Sequence, residues 1–89
     1  MKQGQFETQY EKDWQAFEYT VEKLEDANNS FVEELKQSEA AEFTRLYRRI
    51  CHLHSLVLSR GYSSNLADKL SNLIARGHKQ LYQRKHTSR

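Results

Sequence analysis

No proline occurs in these 89 residues, and only three glycines do, Gly4, Gly61 and Gly77. Proline ends helices and glycine loosens them. A chain this poor in both suits long, uninterrupted helices and is ill suited to a turn-rich β fold. At this length it can build one domain with one modest core, so each helix has to commit a whole face to that core.

Three stretches carry the required periodicity. In the first, from about Gln5 to Ala27, Phe6, Tyr10, Trp14, Phe17, Val21 and Leu24 recur at spacings of 4, 4, 3, 4 and 3. At about 100° per residue they fall within one stripe roughly 80° wide. Four of the six are aromatic, a large apolar payload. Glu11, Glu18, Glu22 and Glu25 fall on the other side, which reads as a solvated face unless something basic lies beside it. The second stretch, about Glu39 to Arg60, aligns Phe43, Leu46, Tyr47, Ile50, Leu53, His54 and Val57. The third, about Asn65 to Gln83, aligns Leu66, Leu70, Leu73, Ile74, Gly77 and Leu81.

The connections carry stop and start signals. Gly61 stands where helices end on a left-handed residue, and Ser63, Ser64 and Asn65 each offer an N-cap. So short a link makes the second and third helices antiparallel. Ser30-Phe31-Val32-Glu33 has capping-box spacing. It predicts a short helical segment carrying Phe31, Val32 and Leu35, which either ends near Ser38 or merges into the next helix. Residues 84–89 have no apolar anchor and are expected to fray. The predicted fold class is therefore all-α. It is one domain over residues 1–89, an antiparallel three-helix bundle with a short extra helix between the first two long ones.

Gly77 lies in the middle of an apolar stripe, where glycine costs about 1 kcal/mol against alanine. Close approach by a neighbouring helix, against Trp14 or another ring, is the leading reading; a hinge or a binding notch is the alternative.

Charge is divided along the chain. Residues 1–44 hold four lysines against eleven carboxylates, whereas residues 45–89 hold ten basic residues against one acid, Asp68. The simpler expectation is an acidic first helix lying against basic later ones; the sharper one is a basic surface for an anionic partner. Arg45, Arg48, Arg49 and His52 project together from the second helix, with Leu56 among them and Arg60 at the edge. Arginines around an apolar anchor make a docking surface for carboxylates or phosphates. These six are the candidate protein-interaction residues. Lys69, Arg76 and Lys79 add charge on a flank of the third helix.

Other chemistry finds little support. Cys51-His52-Leu53-His54 is the one cluster resembling a metal or nucleophile site, but His52 points about 160° away from His54 on a helix. The remaining ligands of a zinc site would have to come from His78 or His86, at no recognisable spacing. A core His54 bonded to a buried polar group such as a tyrosine is the better expectation. No catalytic, metal or cofactor residues are assigned, and the reading is non-enzymatic. No apolar run approaches the 18–20 or so residues of a membrane span, and the N-terminus lacks the apolar region of a signal peptide. The single cysteine, Cys51, forms no intrachain disulfide and fits a reducing compartment.

Several motifs together resemble the N-terminal region of the stage II sporulation protein M family of bacterial integral membrane proteins. They are Met1-Lys2-Gln3 with Phe6-Glu7, Trp14-x-x-Phe17-Glu18, Leu46-Tyr47-Arg48-Arg49-x-Cys51 and Arg60-Gly61-Tyr62-Ser63-x-x-Leu66. The last is Leu70-x-x-Leu73-x-x-Arg76-Gly77-His78-x-x-Leu81-Tyr82. The resemblance implies a cytosolic domain preceding a multi-span membrane region, at the inner face of the cell membrane. It also implies a partner such as a MoxR-type AAA+ ATPase or a protein with a von Willebrand A-like domain. It supplies no catalytic residues. A self-associating helical module and a small nucleic-acid-binding adaptor are the alternatives, and nucleic acid is the less favoured because no helix-turn-helix or stacking module is evident.

Overall fold

The computed structural model describes residues 2–26 and 37–87, and the side chains of all of these but 37, 38 and 82–87. The capping box at Ser30 and the segment carrying Phe31, Val32 and Leu35 lie outside the described residues. Three helices of 24 residues each account for nearly all of what is described: α1 (Gln3–Asp26), α2 (Gln37–Arg60) and α3 (Ser64–Thr87).

Each begins or ends on identifiable chemistry. At the start of α1, Phe6 N–H donates to Lys2 O, and the Gln5 side chain reaches back to accept from Lys2 N–H. That is half of a capping box, and it starts the helix at Gln3, three residues before the apolar pattern begins at Phe6. At the end of α2, Gly61 has φ +69°. Gly61 N–H donates to Leu58 O and Tyr62 N–H to Val57 O, the paired bonds of a Schellman motif. Of the three candidate caps for α3, Ser63 is the one used, its Oγ accepting from Leu66 N–H at 3.2 Å. Gln3, sixty residues away, fixes that choice: its Oε1 accepts from Ser63 N–H at 2.8 Å and its Nε2 donates to Ser63 Oγ at 3.1 Å. The far end of α3 runs to Thr87.

The chain runs up, down and up: α2 is antiparallel to both neighbours, and α1 and α3 are parallel. The register follows from Gln3 at Ser63, Glu18 at Lys69 and Glu25 at Arg76 between α1 and α3. Asp13 at Arg49 fixes it between α1 and α2. Five of the six stripe residues of α1 are buried, and Tyr10 packs at the margin. Phe43, Leu46, Ile50, Leu53 and Val57 of α2 and Leu66, Leu70 and Leu73 of α3 complete the core. His54 is only half-buried and makes no side-chain hydrogen bond among the described residues, so it is not the bonded core histidine expected.

The aromatic rings gather at two levels. Phe6 meets Tyr10, Trp14 and Tyr62 with centroids 5.0, 6.3 and 5.2 Å away, sealing the end that holds the α2–α3 turn. Farther along, Phe17 stacks on Phe43 at 5.1 Å with the planes 7° apart. Phe17 reaches that position by lying on the backbone of α3 at Gly77. A Cβ on Gly77 would fall 2.3 Å from Phe17 Cζ and 2.9 Å from Cε2. Close approach is thus the correct reading of Gly77, and Phe17 is the ring. Near the end of α3, Gln80 is buried with its Oε1 lacking a hydrogen-bond partner among the described residues.

Two stability measurements follow. Gly77→Ala destabilises by about 1–3 kcal/mol in denaturant unfolding although alanine favours helix, because the fully buried Phe17 ring has little room to retreat. Combining it with Phe17→Leu recovers part of the loss; a Gly77→Ala protein as stable as the parent contradicts the contact. Gln80→Met raises stability by about 1 kcal/mol by removing an unsatisfied buried carbonyl, and a loss of that size instead would show that the amide has a partner.

Candidate interaction surface

Folding sorts the basic residues into paired and unpaired sets. Arg49 turns towards α1, where its Nε donates to Asp13 Oδ2 at 2.6 Å and its guanidinium lies 5.5 Å from the Tyr10 ring centre. Arg76 forms a two-pronged pair with Glu25, at 2.9 Å from Nε and 2.8 Å from Nη2. Lys69 stands 4.0 Å from Glu18. Arg45 pairs within its own helix, donating to Glu42 at 2.9 and 2.6 Å. The acids of α1 at positions 13, 18 and 25 therefore face the basic helices, and part of the unequal division of charge along the sequence is met by ion pairs between helices.

The electrostatics follow the geometry. Hydrogen bonding from Arg76 holds the Glu25 carboxyl below the usual glutamate range against a partial opposing effect of burial, with the charges of Arg76 and Lys79 assisting. The same pair raises Arg76. Hydrogen bonding from Arg45 likewise lowers Glu42, at the exposed surface.

The six candidate residues accordingly do not act as one group. Arg48, His52 and Arg60 are exposed on α2 and make no ion pair among the described residues. Arg60 lies in the last turn of α2, where a positive charge complements the helix dipole. Arg45 and Arg49 are exposed in part but already bonded to carboxylates. Leu56 is half-buried and packed against the core. The exposed leucine of this helix is Leu58, 61 % accessible. Its signal in the sequence was its position outside the buried series, seven residues after Cys51.

Two surface clefts flank α1. One of about 250 Å³ lies between α1 and the start of α2, bordered by Tyr19, Lys23, Glu42 and Phe43. The other lies between the N-terminal ends of α1 and α3, bordered by Glu7, Glu11, Trp14 and Lys69. Neither pairs a base with a free nucleophile, since Ser63 at the second is engaged as the cap of α3. Among the described residues no group of three or more His, Cys, Asp or Glu is placed to hold a metal ion. No helix there is long and apolar enough to cross a membrane.

A family model described as "Domain of unknown function (DUF8413)" matches residues 4–83, and the chain belongs to that family. The match runs from the first turn of α1 to the last turns of α3, so the unit it describes is the whole bundle. No curated protein and no solved structure matches the chain.

The Glu25–Arg76 pair gives a pH signature. A carboxyl held low when folded contributes stability that is complete above its unfolded pKa, about 4.3, and is lost as pH falls through the folded value. About a third of each side chain is exposed, which limits the pair to roughly 0.5–1 kcal/mol. Glu25→Gln should thus be less stable than the parent at neutral pH, with the gap closing below about pH 5. A gap that persists undiminished at low pH would assign the effect to packing rather than charge.

Proposed function

We propose that this member of the DUF8413 family is a non-enzymatic protein-interaction domain that receives an acidic partner on the outward face of α2. The observation that supports this is a contrast along α2: Arg45 and Arg49 each meet a carboxylate, whereas Arg48, with the His52 imidazole beside it, stands exposed without one among the described residues. Charges unneeded for holding the helices together, on a rigid helix, are suited to steering and registering a partner of opposite sign. The resemblance to the stage II sporulation protein M family adds a setting, the cytosolic side of the cell membrane with an AAA+ ATPase as one candidate partner. The matched family description speaks of neither.

A photo-crosslinking residue placed at position 52 on α2, or at position 11 on the flank of α1 towards α3, tests the assignment in cells. The expected result is a discrete adduct from position 52 that disappears with Arg48→Glu, and none from position 11. Equal labelling from both positions, insensitive to Arg48, would remove α2 as the docking face.

A further inference from the structure

The Trp14 side chain is 3 % exposed, and its indole N–H makes no hydrogen bond among the described residues. Leaving such a donor unmet inside a protein is costly. The donor is not sealed in the core, however. Gln80 Oε1 is the one fully enclosed side-chain polar atom without a partner among the described residues. The sliver of Trp14 that remains open therefore includes its ring nitrogen, and Trp14 borders the cleft between the N-terminal ends of α1 and α3. That cleft thus has an unpartnered donor in its floor, on a ring that Phe6 backs at 6.3 Å.

The two walls of the cleft differ in charge. On the α1 side Glu7 and Glu11 stand one helical turn apart, and neither forms an ion pair among the described residues. Glu7 Oε2 accepts from the neutral Gln3 Nε2 at 2.7 Å. Carboxylates at this spacing repel each other, and an ammonium group between them relieves the repulsion. On the α3 side Lys69 borders the cleft, its Nζ only loosely held at 4.0 Å from Glu18. The first turn of α3 lies beside it, where the helix dipole favours negative charge. Buried Leu66 adds an apolar patch. The space enclosed, about 390 Å³, falls within the roughly 300–1,000 Å³ of small-molecule clefts. A plain amine would leave the indole N–H without an acceptor, and a plain anion would be repelled by the glutamates. A small molecule that carries an ammonium and a carboxylate on neighbouring atoms satisfies both walls and the floor.

We propose that this cleft binds a free α-amino acid with an apolar side chain. Its ammonium lies between Glu7 and Glu11, its carboxylate accepts from the Trp14 indole N–H and faces Lys69, and its side chain rests on Leu66. The site is separate from the outward face of α2 and does not depend on it. A ligand held in this way ties α1 to α3 at the end of the bundle where Gln3 already bridges to Ser63.

Trp14 is the single tryptophan of the chain, so its one indole N–H resonance in proton–nitrogen correlation spectra reports on the cleft directly. Leucine, methionine and phenylalanine are the probes. At least one is expected to shift that resonance saturably at millimolar or lower concentration. For leucine, the decarboxylated and deaminated analogues isoamylamine and isocaproate should each bind at least about tenfold more weakly. Glu11→Gln, an exposed change whose fold is verified by circular dichroism, should weaken binding at least about fivefold. Arg48→Glu, on the other face, should leave it unchanged. No saturable shift with any of the three amino acids overturns the proposal. An analogue that binds as well as leucine also overturns it, since one charge would then suffice. Binding indifferent to Glu11→Gln does the same by placing the ligand elsewhere.

Discussion

The contact between the Phe17 ring and the backbone of α3 at Gly77 is the constraint around which the bundle is arranged. With no side chain at position 77, the tip of the ring points at the backbone of α3 while its face stacks on Phe43 across the core. That brings α1 close to α3 without separating it from α2. The rest of the register is consistent with it: Gln3 reaches the cap of α3 at one end and Glu25 reaches Arg76 at the other. Glycine within a helix carries an intrinsic penalty, and here burial of a whole aromatic side chain offsets it.

Electrostatics then divides the surface. Acids on α1 stand against Arg49, Lys69 and Arg76, so part of the charge asymmetry along the sequence is met by ion pairs between helices. Such pairs are individually weak because they are partly exposed, but they leave Arg48, with His52 beside it, without an ion pair on the outward side of α2 among the described residues. The functional proposal depends on that division.

Much of the fold was legible in the sequence because helical periodicity is a local property. The stripe from Phe6 to Leu24, the stop at Gly61 and the existence of a close approach at Gly77 could all be read from spacing. What could not be read depends on how the helices are rotated against one another. Ser63, Ser64 and Asn65 were equivalent caps until Gln3 approached from the start of α1. Glu18 and Glu25 read as solvated until α3 lay beside them. The candidate surface was legible only in part for the same reason: whether an arginine faces water or Asp13, and whether Leu56 or Leu58 is the exposed leucine, is set by a rotation of a few tens of degrees. The Gln5 back-bond that starts α1 was missed because it belongs to the polar residues ahead of the apolar pattern.

The most direct test of this division is to reverse neighbouring arginines one at a time and compare unfolding free energies. Arg49→Glu places a second negative charge against Asp13 and removes the cation from Tyr10, and should lower stability by about 1 kcal/mol or more. Arg48→Glu should leave stability within about 0.5 kcal/mol of the parent, as expected of a surface change away from any partner. Equal losses from the two reversals, or a larger loss from Arg48→Glu, would contradict the separation of structural from free cations on which the interaction surface rests.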